Sequence, residues 1–285
     1  MQIGIGLPSH IAHVPGPLHA EWARRAERRG FAELAAIDRL VYESLDSIVA
    51  LSVAAGATTV IGLTTNVLLA PLYPAALLAK QVTALAGASS GRLTLGLGIG
   101  SRPDDYTAVG VDFRRRGRIL DQTVAVLRET CDARTVTGDK ALAPAPVRIP
   151  ILFGGRADAS IRRAATIGDG WTAGALRDYG GQSVLADRVR AAWAEANRAG
   201  RPRLSASVNF ALGDAETVAA GRAHLQRYYG FKPDYAALNV ADMLTSPLDA
   251  AQTVRAYRDL GFDGVVFHPC VADLDQVDRL ADALL

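Results

Sequence analysis

One repeated alternation constrains the fold more than any other feature of the chain. A short apolar run rich in β-branched residues is followed by an amphipathic segment with apolar residues three and four apart, and the pair recurs eight times in 285 residues. The expected strands are Gln2–Leu7, Glu33–Ile37, Ile61–Leu68, Leu93–Ile99, Ile151–Phe153, Gly170–Ala173, Leu204–Ala211 and Asp263–His268. Helical segments such as "LHAEWARRAERRG", "PAALLAKQVTALAG" and "PLDAAQTVRAYRDLG" lie between them and end at glycine, which satisfies the last carbonyls in a left-handed conformation. Units of about 36 residues joined by right-handed crossovers close a parallel sheet on itself. The chain therefore reads as α/β, a (β/α)₈ TIM barrel forming a single domain over residues 1–285, with a doubly wound open sheet as the alternative.

Two segments interrupt the period. Residues 132–150 are polar and proline-rich and read as a short excursion before the fifth strand; residues 230–246 have a mixed pattern that suits short helices over the rim or side.

Composition narrows the partners. About half of the residues are hydrophobic and 21% are charged, enough to bury a large core. The 31 basic and 29 acidic residues are interspersed, so nucleic acid is not an expected partner. The opening "MQIGIGLPSH" does not have the form of a secretion signal, and no apolar run reaches the roughly 20 residues of a membrane span. Cys131 and Cys270 are too few for a disulfide framework or zinc knuckle. A cytoplasmic protein is the default expectation.

Loops after the strands of such a barrel gather at one rim, where ligands bind. The side chains there are His10 and His13 after strand one, Asp38, Arg39, Tyr42 and Glu43 after two, and Asn66 after three. Ser101, Arg102, Asp104, Asp105 and Tyr106 follow strand four, and His268 follows strand eight. Strands one and eight adjoin in a closed barrel, which brings His10, His13 and His268 to one sector. A metal is not expected, because His10 and His13 sit on a glycine- and proline-rich loop without a fixed carboxylate; solvated or substrate-facing imidazoles fit better.

Two glycine-rich stretches differ in what they specify. "GLGIGS", residues 96 to 101, does not fit G-x-G-x-x-G, and its glycines suit either a flat ligand against the backbone or tight interior packing. In "ILFGGRADASIRRAA", a strand runs through Gly154 and Gly155 into a helix start whose free N–H groups attract an anion. Arg156 adds charge and Ser160 a hydroxyl. This reads as a phosphate cradle, against the plain alternative of a Gly-Gly turn and a helix cap.

Taken in order, "WARRAERRGFAELAAIDR", "TTVIGLTTNVLLAPLYPAALLAKQVTALAGASSGRLTLGLGIG", "GVDFRRRGRILDQTVAVLR", "IPILFGGRADASIRRAATIGDGW" and "RAYRDLGFDGVVF" resemble the luciferase-like monooxygenase superfamily over nearly the whole chain. The resemblance implies a (β/α)₈ oxidoreductase using FMN or the deazaflavin coenzyme F420 on a small organic substrate at the C-terminal rim. It implies a bulge with a non-proline cis peptide at Asn66 and Val67 under the cofactor ring, and cofactor contacts at Ser101, Arg102 and Asp104 beside Asp38. Gly154, Gly155, Arg156 and Ser160 match the phosphate region, with Thr172 and Ala173 lining the same pocket. His13, Glu43 and His268 are expected to face substrate.

Where many F420-dependent relatives carry Asp-His, this chain has Asp38-Arg39. A guanidinium stays charged and cannot relay a proton. Arg39 is left to pair with Asp38, hold an anionic substrate or stabilise charge on the reduced ring, with His10, Tyr42 or Tyr106 supplying a proton. The short 132–150 segment implies a small lid, which leaves the pocket either open or covered by residues 230–246. The charge on Arg156 suits the terminal phosphate of FMN. The alternatives are an F420-dependent hydride-transfer enzyme and a non-catalytic accessory homologue. A phosphate-sugar isomerase or lyase is weakened because Lys80, Lys140 and Lys232 do not sit at strand ends. The resemblance also raises a homodimer formed through barrel-side helices.

Overall fold

The computed structural model describes residues 1–132, 135–137, 140–145 and 147–285. Its strands, in chain order, are β1 (Gln2–Gly6), β2 (Glu33–Ala36), β3 (Gly62–Leu68), β4 (Leu93–Leu97), β5 (Thr135–Thr137), β6 (Lys140–Ala141), β7 (Ile151–Gly154), β8 (Gly170–Thr172), β9 (Arg203–Phe210) and β10 (Gly264–Pro269). Eight of them close into a parallel barrel in the order β1-β10-β9-β8-β7-β4-β3-β2, while β5 and β6 pair as an antiparallel hairpin outside it. The eight-stranded closure is the one expected from the alternation, and the open sheet is excluded. Strand ends differ from expectation by one or two residues.

The strands read as apolar runs because both faces are covered. Phe153, Trp171, Phe210 and Phe267 are fully buried among them, and Trp22 fills the contact with the first helix. The end of the barrel away from the rim is plugged by a polar group: Thr64 Oγ1 donates to Glu33 Oε2 at 2.7 Å, and Arg203 faces the same oxygen at 3.3 Å. A Cβ at Gly4 would stand 2.7 Å from Glu33 Cγ, so glycine there makes room for the carboxylate.

Around the barrel run α1 (Gly16–Arg28), α2 (Ser47–Ala57), α3 (Ala75–Ala88), α4 (Pro103–Ala108), α5 (Arg116–Cys131), α6 (Asp158–Thr166), α7 (Tyr179–Glu195), α8 (Ala215–Tyr228), α9 (Pro233–Asp242), α10 (Pro247–Asp259) and α11 (Asp275–Leu284). Asp46, Asp178, Asp214 and Ser246 each accept the N–H three residues on, which starts α2, α7, α8 and α10. The closing helix α11 was not among the expected segments. It packs against α1, where Arg25 and Arg29 pair with Asp278. Among the described residues no helix is long and apolar enough to cross a membrane.

Of the 132–150 excursion, residues 133, 134, 138, 139 and 146 lie outside the described residues; β5 and β6 belong to the rest. The 230–246 segment contains α9. Asn209 donates to Asn239 Oδ1 at 3.1 Å, and Leu244 bridges Phe210, so this segment is tied to the rim end of β9.

Candidate active site

A cavity of about 430 Å³ opens at the rim. A second, of about 240 Å³, adjoins it and shares Asp38, Leu69, Gly100, Ser101, Tyr229 and Tyr235. The two form a larger and a smaller lobe of one depression.

The end of β7 builds one wall of the larger lobe. Gly155 has φ +119°, and a Cβ there would lie 2.6 Å from Ser160 Oγ, so the chain can turn only with glycine and close approach. The indole of Trp171 donates to Gly155 O at 2.8 Å and fixes the turn from β8. Unlike the four helices above, α6 begins at Ala157 without a side-chain cap. Its first N–H groups and positive dipole end are therefore turned to the lobe, beside the buried Ser160 and a Thr172 hydroxyl that has no partner. An uncapped helix start with an orphaned buried hydroxyl beside it has the donor chemistry of a phosphate site. Arg156 stands at the same edge but is exposed and pairs with Asp178 at 3.1 Å.

Strand β3 supplies the floor. The Asn66–Val67 peptide is cis, and the β3–β4 register shifts between Thr65 and Leu68. Added Cβ atoms at Gly98 and Gly154 would meet the Val67 side chain at 2.6 and 3.1 Å, and one at Gly96 would strike Thr65 O. The glycines of "GLGIG" and the first of the Gly-Gly turn thus make room for the bulge. Gly96 packs in the interior against Thr65, whereas Gly98 both makes room for Val67 and lines the lobe beside it. Asn66 donates to Ser207 Oγ at 3.0 Å, which ties the bulge across the barrel to β9.

Asp38 and Arg39 part company. Asp38 turns inward and accepts from Leu69 N at 2.9 Å, Ser47 Oγ at 3.1 Å and the Tyr73 hydroxyl. Burial pushes its carboxyl up to about 6, against the lowering effect of the Leu69 N–H. Arg39 turns the other way, into the smaller lobe, and donates to Tyr228 O at 3.3 Å with its guanidinium over the Tyr42 ring. The expected pairing of the two does not form, because Asp38 is already held by donors on α2 and the β3 end.

The remaining sequence candidates divide. Ser101, Thr172, Ala173 and His268 line the larger lobe, and Arg102 the smaller. Asp104 is exposed, 3.9 Å from Arg39. Tyr106 points away from both lobes: it is buried against Phe113, Leu69 and Leu72, and its hydroxyl donates to Ile99 O. His13 and Glu43 sit on the outer rim, joined through the His13 N–H to Glu43 O, with the Glu43 carboxylate on Arg227. Neither they nor Tyr42 line a lobe.

His10 is buried behind the wall, its ring 5.8 Å from His268 and 5.2 Å from His224. His10 and His268 do share a sector; His13 does not join them. Burial drives His10 well below its usual value, His224 to about 4 and His268 to about 3, so all three are neutral imidazoles at pH 7. Among the described residues no group of three His, Cys, Asp or Glu side chains is arranged to hold a metal ion.

Sequence reasoning missed Ser207, Tyr229 and Tyr235, and set Lys232 aside although it lines the smaller lobe. The aromatic density of "YYGFKPDY" was the available signal.

The sequence model described as luciferase-like monooxygenase matches residues 1–259. The chain belongs to this family. Among curated relatives, an uncharacterized protein of Mycobacterium tuberculosis is 41% identical over 117 residues, which span 38% of this chain and 40% of that protein's length. A second uncharacterized protein of Mycobacterium tuberculosis is 29% identical over 205 residues, 68% of this chain and 72% of the relative.

Solved structures share the luciferase-like fold along almost the whole chain. A monooxygenase from Streptomyces bottropensis superposes with TM-score 0.77 at 18% identity, covering 99% of this chain and 97% of that one. An F420-dependent secondary alcohol dehydrogenase, solved with an F420-acetone adduct, gives 0.79 at 16% identity over 99% and 98%. The oxygenating constituent of 3,6-diketocamphane monooxygenase from Pseudomonas putida, solved with FMN, gives 0.74 at 14% identity over 99% and 95%.

Proposed function

We propose that this luciferase-like protein binds FMN in the larger lobe and acts as a flavin-dependent oxidoreductase or monooxygenase on a small organic substrate entering from the smaller lobe. The observation that carries the reading is the pairing, across one cavity, of an uncapped helix start at Gly154-Gly155-Arg156-Ser160 with the Val67 bulge. The first suits a phosphate and the second a flat ring laid against an apolar step. Thr172 and Ala173 close the space between them, and Asn66 holds the bulge through Ser207. The cofactor, when bound, supplies the redox chemistry.

The protein's own contribution is positioning and proton handling. Tyr229 and Tyr235, from the 228–235 segment, line both lobes at their junction. Asp38 lines both lobes and, with its carboxyl near 6, can hold or release a proton around neutrality. His268 faces the larger lobe as a neutral imidazole. Tyr106 and His10 are not in this scheme, since one is committed to Ile99 O and the other stands behind the wall.

F420-dependent hydride transfer is the second reading, and one observation favours it: Asp178 already pairs with Arg156, which offsets the charge that a phosphate monoester would use. Titrating the purified protein with FMN and with F420, oxidised and reduced, separates the two by absorbance and fluorescence. Micromolar binding of FMN with weaker F420 supports the first reading, and the reverse selects the second. Binding of neither overturns both and returns the chain to an accessory role.

A further inference from the structure

We infer that the smaller lobe is a binding site for the carboxylate of a small planar substrate, with Arg39 and Arg102 as its anion-holding residues. The inference takes the two-lobe reading of the site as its frame. What it adds is the charge and shape of the molecule that enters beside the cofactor.

The observation is two adjacent guanidinium groups that no carboxylate holds by a hydrogen bond; the nearest carboxylates are Asp104, at the edge of ion-pair distance from Arg39, and the buried Asp105, which lines the same lobe. Arg39 Nη1 and Arg102 Nη2 donate to the same acceptor, the carbonyl of Tyr228, at 3.3 and 2.6 Å. Arg102 is only 7% exposed, and its Nη1 has no hydrogen-bond partner; nor has Arg39 Nε. Among the described residues no carboxylate hydrogen-bonds to either group. Asp104 comes no closer than 3.9 Å to Arg39 and is half open to solvent. Asp38 and Asp105 also line the lobe, but Asp38 accepts from its own donors and Asp105 Oδ1 accepts from the Val41 N–H, while Asp105 Oδ2 is buried without a partner.

Burial of a cation without an anion is costly, and two adjacent like charges add to the cost. Burial, and then Arg39, lower the pKa of Arg102, while Tyr228 and Asp105 act in the opposite direction, and the rings of Tyr228 and Phe231 lie 4.8 and 4.0 Å from its guanidinium. Lys232 adds a third cation at the edge of the lobe. An arrangement with unmet donors on planar guanidiniums is completed by a carboxylate, whose two oxygens match that fork. The phosphate-type donors of α6 line the other lobe, so the two anion sites are separate. The walls of the smaller lobe are aromatic, Tyr228, Phe231 and Tyr235 among them, and its volume of about 240 Å³ admits one ring and not a dinucleotide.

The test compares benzoate with benzamide, and cinnamate with cinnamamide, on the full-length protein with and without FMN, by saturation-transfer NMR and calorimetry. Each carboxylate is expected to bind at least tenfold tighter than its amide. That preference is expected to vanish in Arg102→Met and in Arg39→Met, to fall partway in Arg102→Lys, and to survive Arg156→Ala. Circular dichroism identifies any variant that does not fold, in which case the wild-type acid/amide comparison decides alone. Equal binding of acid and amide overturns the inference, as does a preference abolished only by Arg156→Ala, which would place the anion in the α6 cradle. Failure to bind FMN or F420 while the acid preference holds would remove the proposed function and leave the carboxylate site standing.

Discussion

Replacing Asp38 by asparagine isolates the cost of the buried carboxyl at the junction of the lobes. The carboxyl sits at about 6 instead of 3.8, chiefly through burial, with Asp46 contributing in the same direction. A folded-state pKa raised above the unfolded value means that stability is fully present below about pH 4, is lost as pH rises through 6, and is constant above that. At 1.36 kcal/mol per unit, the two-unit shift corresponds to about 3 kcal/mol. Asparagine keeps an oxygen for the Leu69 N–H and carries no charge at any pH.

The stability of Asp38→Asn minus wild type should therefore rise by about 2.5 kcal/mol between pH 4 and pH 7. Urea unfolding of both proteins at half-unit intervals across that range measures it, and every other titrating group common to the two cancels in the difference. A difference that stays level within about 0.5 kcal/mol, or that falls as pH rises, would refute the assignment of Asp38 as a carboxyl held near neutrality.

Other expectations follow from single contacts. Gly98→Ala places a Cβ 2.6 Å from Val67 Cγ2 and should cost about 1–3 kcal/mol, with most of the loss recovered in the Gly98→Ala/Val67→Ala double variant; chemical denaturation of the four proteins checks the coupling. Gly155→Ala should weaken FMN binding at least tenfold while leaving the circular dichroism spectrum unchanged, because the turn would move off Ser160. Tyr106→Phe should lose about 1 kcal/mol of stability and leave FMN affinity unaltered, as measured by melting and fluorescence titration. Acid should destabilise the protein below pH 6.5, since His10, His224 and His268 are buried neutral and must charge on unfolding. His268→Gln should shrink the fall in Tm between pH 7 and pH 5.

The barrel was legible because parallel strands covered on both faces appear as uninterrupted apolar runs, and because glycine follows the end of several helices, as at Gly30 and Gly261. The Gly-Gly turn into a helix start was legible for a related reason. Gly154-Gly155 ahead of a helix start is a local arrangement whose chemistry does not depend on distant residues. Strand-end position, by contrast, does not say which way a side chain turns. Tyr106 and His10 stand where ligands bind in sequence terms, yet the first folds back onto Ile99 and the second faces other imidazoles. Asp38 and Arg39 are neighbours in sequence that diverge because Ser47 and Leu69 capture one and the Tyr228 carbonyl the other. Residues 230–246 were expected over the rim, but which side chains of this region turn into the lobes was not legible, because Tyr229, Tyr235 and Lys232 are placed there by the Asn209–Asn239 and Phe210–Leu244 ties, which join segments about 30 residues apart.

The central claim is that one cofactor lies along the larger lobe, phosphate at α6 and ring on the β3 bulge. A crystal structure of the protein grown with FMN tests it directly. The account expects the phosphate oxygens within hydrogen-bond distance of the first N–H groups of α6 and of Ser160, and the ring in contact with Val67. A phosphate bound at Arg39 and Arg102, or a ring that does not touch Val67, would contradict it.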